Sequence, residues 1–268
     1  MTSSSPRPAF GRKLREWRQR AGLSQLELAA RASTTARHVS FVETGRSRPG
    51  SDLVLRLCEA LDLPLSQRNG MLEAAGLPHA FTAHALEDRA MAPIRRVLDR
   101  VLASHEPYPA WIYGRGLQPL AANRAGESLL PGLCAMTPST IVDLWCAPGP
   151  LRALVDNWAE AMWAAIDSLR RELARSNDPQ VATLLRRAER HARGVSRPAA
   201  VDPELPVACP RFRVGDRIVR TVAAVLRFDT AIDVTASELR VELMFPADDD
   251  SDAFFRERAQ GGAPATAG

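Results

Sequence analysis

Ser24-Gln25-Leu26-Glu27-Leu28-Ala29, followed by Thr35-Ala36-Arg37-His38-Val39-Ser40-Phe41-Val42-Glu43-Thr44-Gly45-Arg46-Ser47-Arg48-Pro49, is the stretch that decides the fold. Ser24 with Glu27 three residues later is a capping box, so a helix starts there. Its expected inner face is Leu26, Ala29 and Ala30. Thr35 caps the next helix, whose inward residues are Val39 and Val42 and whose end is Gly45. Two short helices joined by a tight turn form a helix-turn-helix, in which the second helix enters the major groove and offers its N-terminal side chains to base edges.

The flanks extend this pattern. Phe10, Leu14 and Trp17 fall on one helical face, with Arg12, Arg15, Arg18 and Arg20 off that stripe. Further helices run from about Ser51, with Leu53, Leu57, Ala60 and Leu61 at helical spacing, and from Ser66 to Ala75. The expectation is an all-α domain of five helices. The chain of 268 residues carries a formal net charge of +4. Residues 1–80 hold 12 Lys and Arg against 7 Asp and Glu, whereas the remainder holds 23 against 24. The surplus of positive charge therefore belongs to the N-terminal third, as a polyanion-binding surface requires.

The outward set on the second helix is Thr35, Ala36, Arg37, Ser40 and Phe41. Arg37 has the fork to read a guanine, and Ala36 or Phe41 can touch a thymine methyl. Arg46 and Arg48 follow the helix and are expected at phosphates, where they add affinity without sequence preference. Glu43 is expected to bond the turn that follows it. The quoted stretch resembles the phage-repressor-like (XRE-type) DNA-binding family. That resemblance implies a phosphate contact for Gln25, beside a helix N-terminus that favours anions. Ser33 stands where the family has the turn glycine.

Beyond residue 77 the pattern changes. Residues 78–91, with His79 and His84, read as a linker. A helix follows from Ala92, with Ile94, Val97, Leu98 and Val101 inward. Pro109 to Tyr113 and Leu117 to Ala122 are two short extended runs around Gly114-Arg115-Gly116, and Asn123 caps a helix over 124–130. Residues 151–174 read as one amphipathic helix with Leu154, Trp158, Met162, Ile166 and Leu169 on one side. Another helix spans 179–192. Strands are expected over 208–214, 217–229 and 238–245, and residues 251–268 as a C-terminal tail. This strand, hairpin, strand, Asn, helix order resembles a PAS-like sensor fold. The fold class is thus α+β: a disordered tail (1–8), a helix-turn-helix domain (9–77), the linker, and a PAS-like domain (92–250) with an antiparallel sheet covered by helices.

Together Thr35 to Pro49, Glu106-Pro107-Tyr108-Pro109-Ala110, Ala121-Ala122-Asn123-Arg124-Ala125 and Phe245-Pro246-Ala247-Asp248 resemble the MmyB-like transcription regulators. The resemblance implies a homodimer on double-stranded DNA, expected at a palindromic operator, whose C-terminal cavity takes a small apolar ligand such as a long-chain fatty acid. Trp111, Trp158, Met162, Trp163 and Ile166 are the candidate walls, and Arg170 or Arg171 the candidate partner for a carboxylate.

Other classes are weighed against this one. No HExxH, GxSxG, Walker loop or paired Cys/His cluster occurs, so neither an enzyme nor a resident metal or cofactor is expected. The four cysteines, Cys58, Cys134, Cys146 and Cys209, form no CxxC pair. With no apolar run long enough to span a bilayer, the expected setting is the bacterial cytoplasm. The alternative function is an antitoxin-like or other protein-interaction regulator, whose signature is a broad exposed apolar surface in place of a cavity.

Overall fold

Ser24 and Glu27 close the capping box in the computed structural model, which describes residues 6–198 and 209–261. Ser24 Oγ accepts from the Glu27 amide at 3.1 Å, and the Glu27 carboxylate accepts from the Ser24 amide at 2.7 Å. The first of two units comprises residues 1–84 with Thr230–Ser237. Its helices are α1 (Pro6–Arg20), α2 (Gln25–Arg31), α3 (Ala36–Glu43), α4 (Ser51–Ala60) and α5 (Leu65–Ala74). Phe10, Leu14, Leu28, Val39, Val42, Leu57 and Leu72 build its core. Gly11 lets α1 approach the end of α3, because a Cβ there would lie 2.3 Å from the Glu43 carbonyl oxygen. Ser33 takes the left-handed turn, at φ 50°.

Two expectations for this unit change. Leu28 and Ala29 are buried, whereas Leu26 is 70% exposed and Ala30 also faces outward. The capping box sets the phase of a helix too short for its apolar pattern to do so. The expected tail over 1–8 lies outside the described residues up to residue 5, and α1 already begins at Pro6.

The second unit covers residues 85–229 and 238–268. Along the chain it contains α6 (Ala92–Ser104), β1 (Ala110–Tyr113), β2 (Pro119–Ala122), α7 (Arg124–Leu129), α8 (Pro138–Cys146), α9 (Pro150–Leu154), α10 (Trp158–Ser176), α11 (Pro179–His191), β3 (Arg211–Val214) and β4 (Arg217–Arg227). After α12 (Val234–Glu238), most of which belongs to the first unit, come β5 (Arg240–Pro246) and α13 (Asp249–Gln260). The strands form one antiparallel five-stranded sheet in the order β2-β1-β5-β4-β3.

Side chains alternate across this sheet. Ala110, Ile112 and Val241 face α6, packing on Leu98 and Leu102. Trp111 and Met244 face the larger core with Met162, Ile166 and Leu184. Asn123 caps α7 by accepting from the Gly126 amide at 2.8 Å, and the same buried oxygen accepts from the Ala110 amide at 2.9 Å. Its amide group donates to the Tyr108 carbonyl at 2.8 Å, so one side chain ties α7 to β1.

Several boundaries differ from expectation. The helix expected over 151–174 is two helices. Between them Val155 bridges to Phe212, and the Asp156 amide donates to the Arg211 carbonyl at 2.8 Å. Asn157 completes the junction with hydrogen bonds to Cys209 O and Arg211 N. A strand edge thus takes the backbone bonds that a helix would have used, and Leu154 is left 51% exposed. On α6, Val97 is exposed because the sheet contacts only a narrow stripe around Leu98 and Leu102. Ala208, the expected start of a strand, lies outside the described residues, and β3 starts at Arg211. The expected tail is helical up to Gln260, and residues 262–268 lie outside the described residues. Asp248 caps α13, Asp249 and Asp250 occupy its first turn, and Phe254 and Phe255 are buried. Acidic residues at a helix start complement its dipole, so the Asp run marks the start of a helix.

Candidate DNA interface and ligand cavity

The exposed face of α3 is organised around Phe41. This half-buried ring has the Arg37 guanidinium 5.2 Å from its centroid and that of Arg46 at 6.0 Å. Each cation–ring contact contributes about 0.5–1 kcal/mol at an exposed site and holds the cations on one side of the helix. Thr35, Arg37, Arg46 and Arg48 are exposed, while Ala36 and Ser40 are half-buried. Thr35 also caps α3, accepting from the His38 amide at 3.2 Å. His38 lies between Thr34 Oγ1 at 3.3 Å and Ser47 Oγ at 3.4 Å, a local packing role.

Behind this face sits a charged cluster. Arg18 donates from Nε to Glu43 Oε1 at 2.6 Å and from Nη2 to Oε2 at 3.0 Å, and its Nη1 donates to the Leu23 carbonyl at 2.8 Å. The hydrogen bonds from Arg18 to Glu43 raise the guanidinium pKa against the opposing effect of burial. Gln25 Nε2 donates to Glu43 Oε2 at 2.9 Å. Glu43 therefore does not bond the following turn as expected, and Arg18, which lies off the apolar stripe of α1, is buried. The carboxylate ties α1, α2 and α3 together and fixes the Gln25 amide, whose second N–H remains for another acceptor.

In the second unit a cavity of about 550 Å³ opens between the sheet and α8, α10 and α11. Trp111, Tyr113, Val225 and Met244 line the sheet side, with Ile141 and Trp145 of α8 opposite. The wall from α10 is Ala161, Ala164, Ala165, Asp167, Ser168 and Leu169, ending at the exposed Arg171. Within the cavity Arg240 Nη2 donates to Glu242 Oε2 at 3.0 Å, so these charges compensate each other. Burial pushes the Tyr113 hydroxyl pKa upward, and it pushes the Cys146 thiol up to about 12. Both stay protonated at neutral pH, so neither supplies a nucleophile.

Of the residues singled out from the sequence, Trp111 and Arg171 line this cavity. Trp158, Met162, Trp163 and Ile166 do not. Trp158 packs in the core and donates from Nε1 to the Trp145 carbonyl at 2.9 Å. Arg170 is engaged by Asp167 at 3.1 Å and Glu189 at 2.7 Å. Among the described residues Arg171 makes no salt bridge.

Comparison with known proteins follows this division of the chain. A model of the MmyB-like transcription regulator ligand binding domain matches residues 94–257, more than half of the chain. A helix-turn-helix domain model matches residues 9–70. The chain belongs to the MmyB-like transcription regulators. It is a DNA-binding transcriptional regulator with a ligand-binding domain. No curated protein matches it. Two solved structures of the clp gene regulator ClgR from Corynebacterium glutamicum are similar at 31% and 28% identity. They cover 28% and 40% of this chain and 94% and 99% of their own, each with a TM-score of 0.25.

In this MmyB-like regulator most large apolar side chains of α10 make core, Leu169 also reaches the cavity, and the small ones make space. The stripe Trp158, Met162, Ile166 and Leu169 is buried. The signal for the cavity wall was Ala161, Ala164, Ala165 and Ser168, which a search for bulky lining residues passes over.

Proposed function

We propose that this regulator reads double-stranded DNA with α3 and changes its DNA binding when the cavity takes an amphipathic ligand, a long-chain fatty acid. The observation that carries the reading is the cavity of about 550 Å³ within the matched ligand-binding region, apolar on most sides and bounded by the exposed Arg171. That volume falls in the range of ligand sites, about 300–1,000 Å³. Arg171 is the assigned carboxylate partner, because Arg170 already has two. A concave, mostly apolar cavity of this size favours a small ligand over the protein-partner alternative. The strand order β2-β1-β5-β4-β3, with a helix-covered cavity on one face, supports the PAS-like reading.

On DNA, Arg37 is assigned to a guanine edge, Phe41 and Ala36 to a thymine methyl, and Thr35, Ser40, Gln25, Arg46 and Arg48 to the surrounding contacts. A homodimer would set two such helices about one DNA turn apart on a palindromic site. The protein acts without catalysis, in the cytoplasm where that DNA lies. Native mass spectrometry of the purified full chain, with palmitate titration followed by fluorescence of Trp111 and Trp145, tests the ligand. A co-purified fatty acid or saturable quenching is expected. No lipid, no quenching and no thermal shift with palmitate would overturn the assignment.

A further inference from the structure

The connection between β4 and β5 leaves the unit to which both strands belong. Thr230–Ser237 is part of the compact unit formed by residues 1–84. There it holds the end of that unit through a defined set of bonds. Asp233 Oδ2 accepts from the Thr82 hydroxyl and from the His84 amide, each at 3.1 Å, and lies 2.9 Å from His84 Nδ1. Asp233 Oδ1 accepts from the Ala236 amide at 3.2 Å, and the Val234 amide donates to the Thr82 carbonyl at 2.8 Å. Burial opposes the charge on Asp233, but the bonds from His84, Ala236 and Thr82 outweigh it and hold the carboxyl below its usual range.

The same short stretch of chain is gripped from α5. Buried Asn69 accepts from the amides of Ala80 at 3.2 Å and Phe81 at 3.1 Å, and donates to the Phe81 carbonyl at 2.7 Å. Residues 80–84 therefore connect the helical bundle to the β4–β5 connection. On the other side of that connection the pairing of β4 with β5 is unbroken from Thr221↔Pro246 to Arg227↔Arg240. These two strands supply Ala223, Val225, Arg240, Glu242 and Met244 to the cavity wall.

We propose that Thr230–Ser237 is the element that transmits occupancy of the cavity to the helix-turn-helix unit, with Asp233 as its latch. The inference rests on the ligand-responsive reading and names the regulation of that site. Two paired strands move together, so a change in spacing along the wall is delivered at both ends of the connection. The latch is suited to open and close because it consists of a few bonds to partly exposed groups, at the low-stability end of the structure. A ligand biases it only by binding one latch state better than the other.

The test uses the full chain and needs neither DNA nor an identified ligand. Ala165→Phe places a ring in the cavity from α10 and stands in for occupancy, with palmitate as a second probe. Hydrogen–deuterium exchange is followed in residues 80–84 and 230–237. Filling the cavity is expected to change exchange there by about fivefold or more, the lower end of typical couplings. The change should vanish in Asp233→Ala and shrink in Thr82→Val, the milder variant that serves if Asp233→Ala fails to fold. Equal exchange with and without Ala165→Phe, or a change that persists in the latch variants, would overturn the proposal. Palmitate that binds without altering these segments would overturn transmission alone. Absence of palmitate binding, with Ala165→Phe still altering exchange, would overturn only the fatty-acid reading.

Discussion

Arg18 and Glu43, 25 residues apart, meet as a two-pronged pair at 2.6 and 3.0 Å with little solvent access, and that contact ties the end of α3 to α1. Glu43→Ala leaves the Arg18 guanidinium buried without its carboxylate, which costs about 3–5 kcal/mol. The N-terminal unit should therefore melt well below the wild type in a thermal scan followed by circular dichroism. A loss under about 1 kcal/mol, the worth of a surface pair, would show that the cluster is not what fixes α3.

Arg37 and Arg48 are both exposed but should fail differently. Arg37→Ala should relax the base preference at one position of a duplex selected from a random library, at a cost of about 1–3 kcal/mol. Arg48→Ala should weaken binding to all sequences alike and lower the salt dependence by about one counterion. An unchanged preference in Arg37→Ala would reject its base contact.

Arg171 and Arg170 are adjacent in the chain but differ in their partners. Arg171→Ala should weaken palmitate binding by about tenfold or more, the effect of removing one charge-assisted bond. Arg170→Ala, which breaks pairs with Asp167 and Glu189, should leave it nearly unchanged. Fluorescence titration separates the two, and equal losses would place the ligand head elsewhere.

Asp143 clamps α8 to α11 through Arg187 and through His191 Nε2 at 2.8 Å, and the Arg187 hydrogen bonds foremost lower its pKa to about 2. A carboxyl with a depressed folded-state pKa stabilises above its unfolded value, 3.8 for an aspartate, and loses that contribution as pH falls toward 2. The second unit should lose stability across that window in chemical denaturation. Asp143→Asn should be less stable at neutral pH and flatter below pH 4.

The sequence and the structure agree most closely where the signals are local. Ser24 with Glu27, Thr35 before α3 and Asn123 before α7 are caps read from neighbouring residues, and each forms the bond its chemistry predicts. Disagreement arises where the partner is remote. Glu43 finds Arg18, and Val155 finds the edge of β3, through folding of distant segments that no local pattern encodes. For the cavity the difficulty is of another kind. Bulky residues announce themselves by periodicity, but empty space is made by Ala161, Ala164 and Ala165, which read as ordinary helix formers.

Because Thr230–Ser237 is lodged with residues 1–84, the DNA-binding unit is not a contiguous piece of the polypeptide. A fragment that stops at His84 would contain every helix from α1 to α5 yet return Thr82 and His84 to water in place of Asp233. Deletion mapping that treats residue 84 as a clean boundary would therefore remove part of the unit it means to isolate. Shortening the β4–β5 connection, though far from α3 in the chain, would be an alteration of the DNA-binding half.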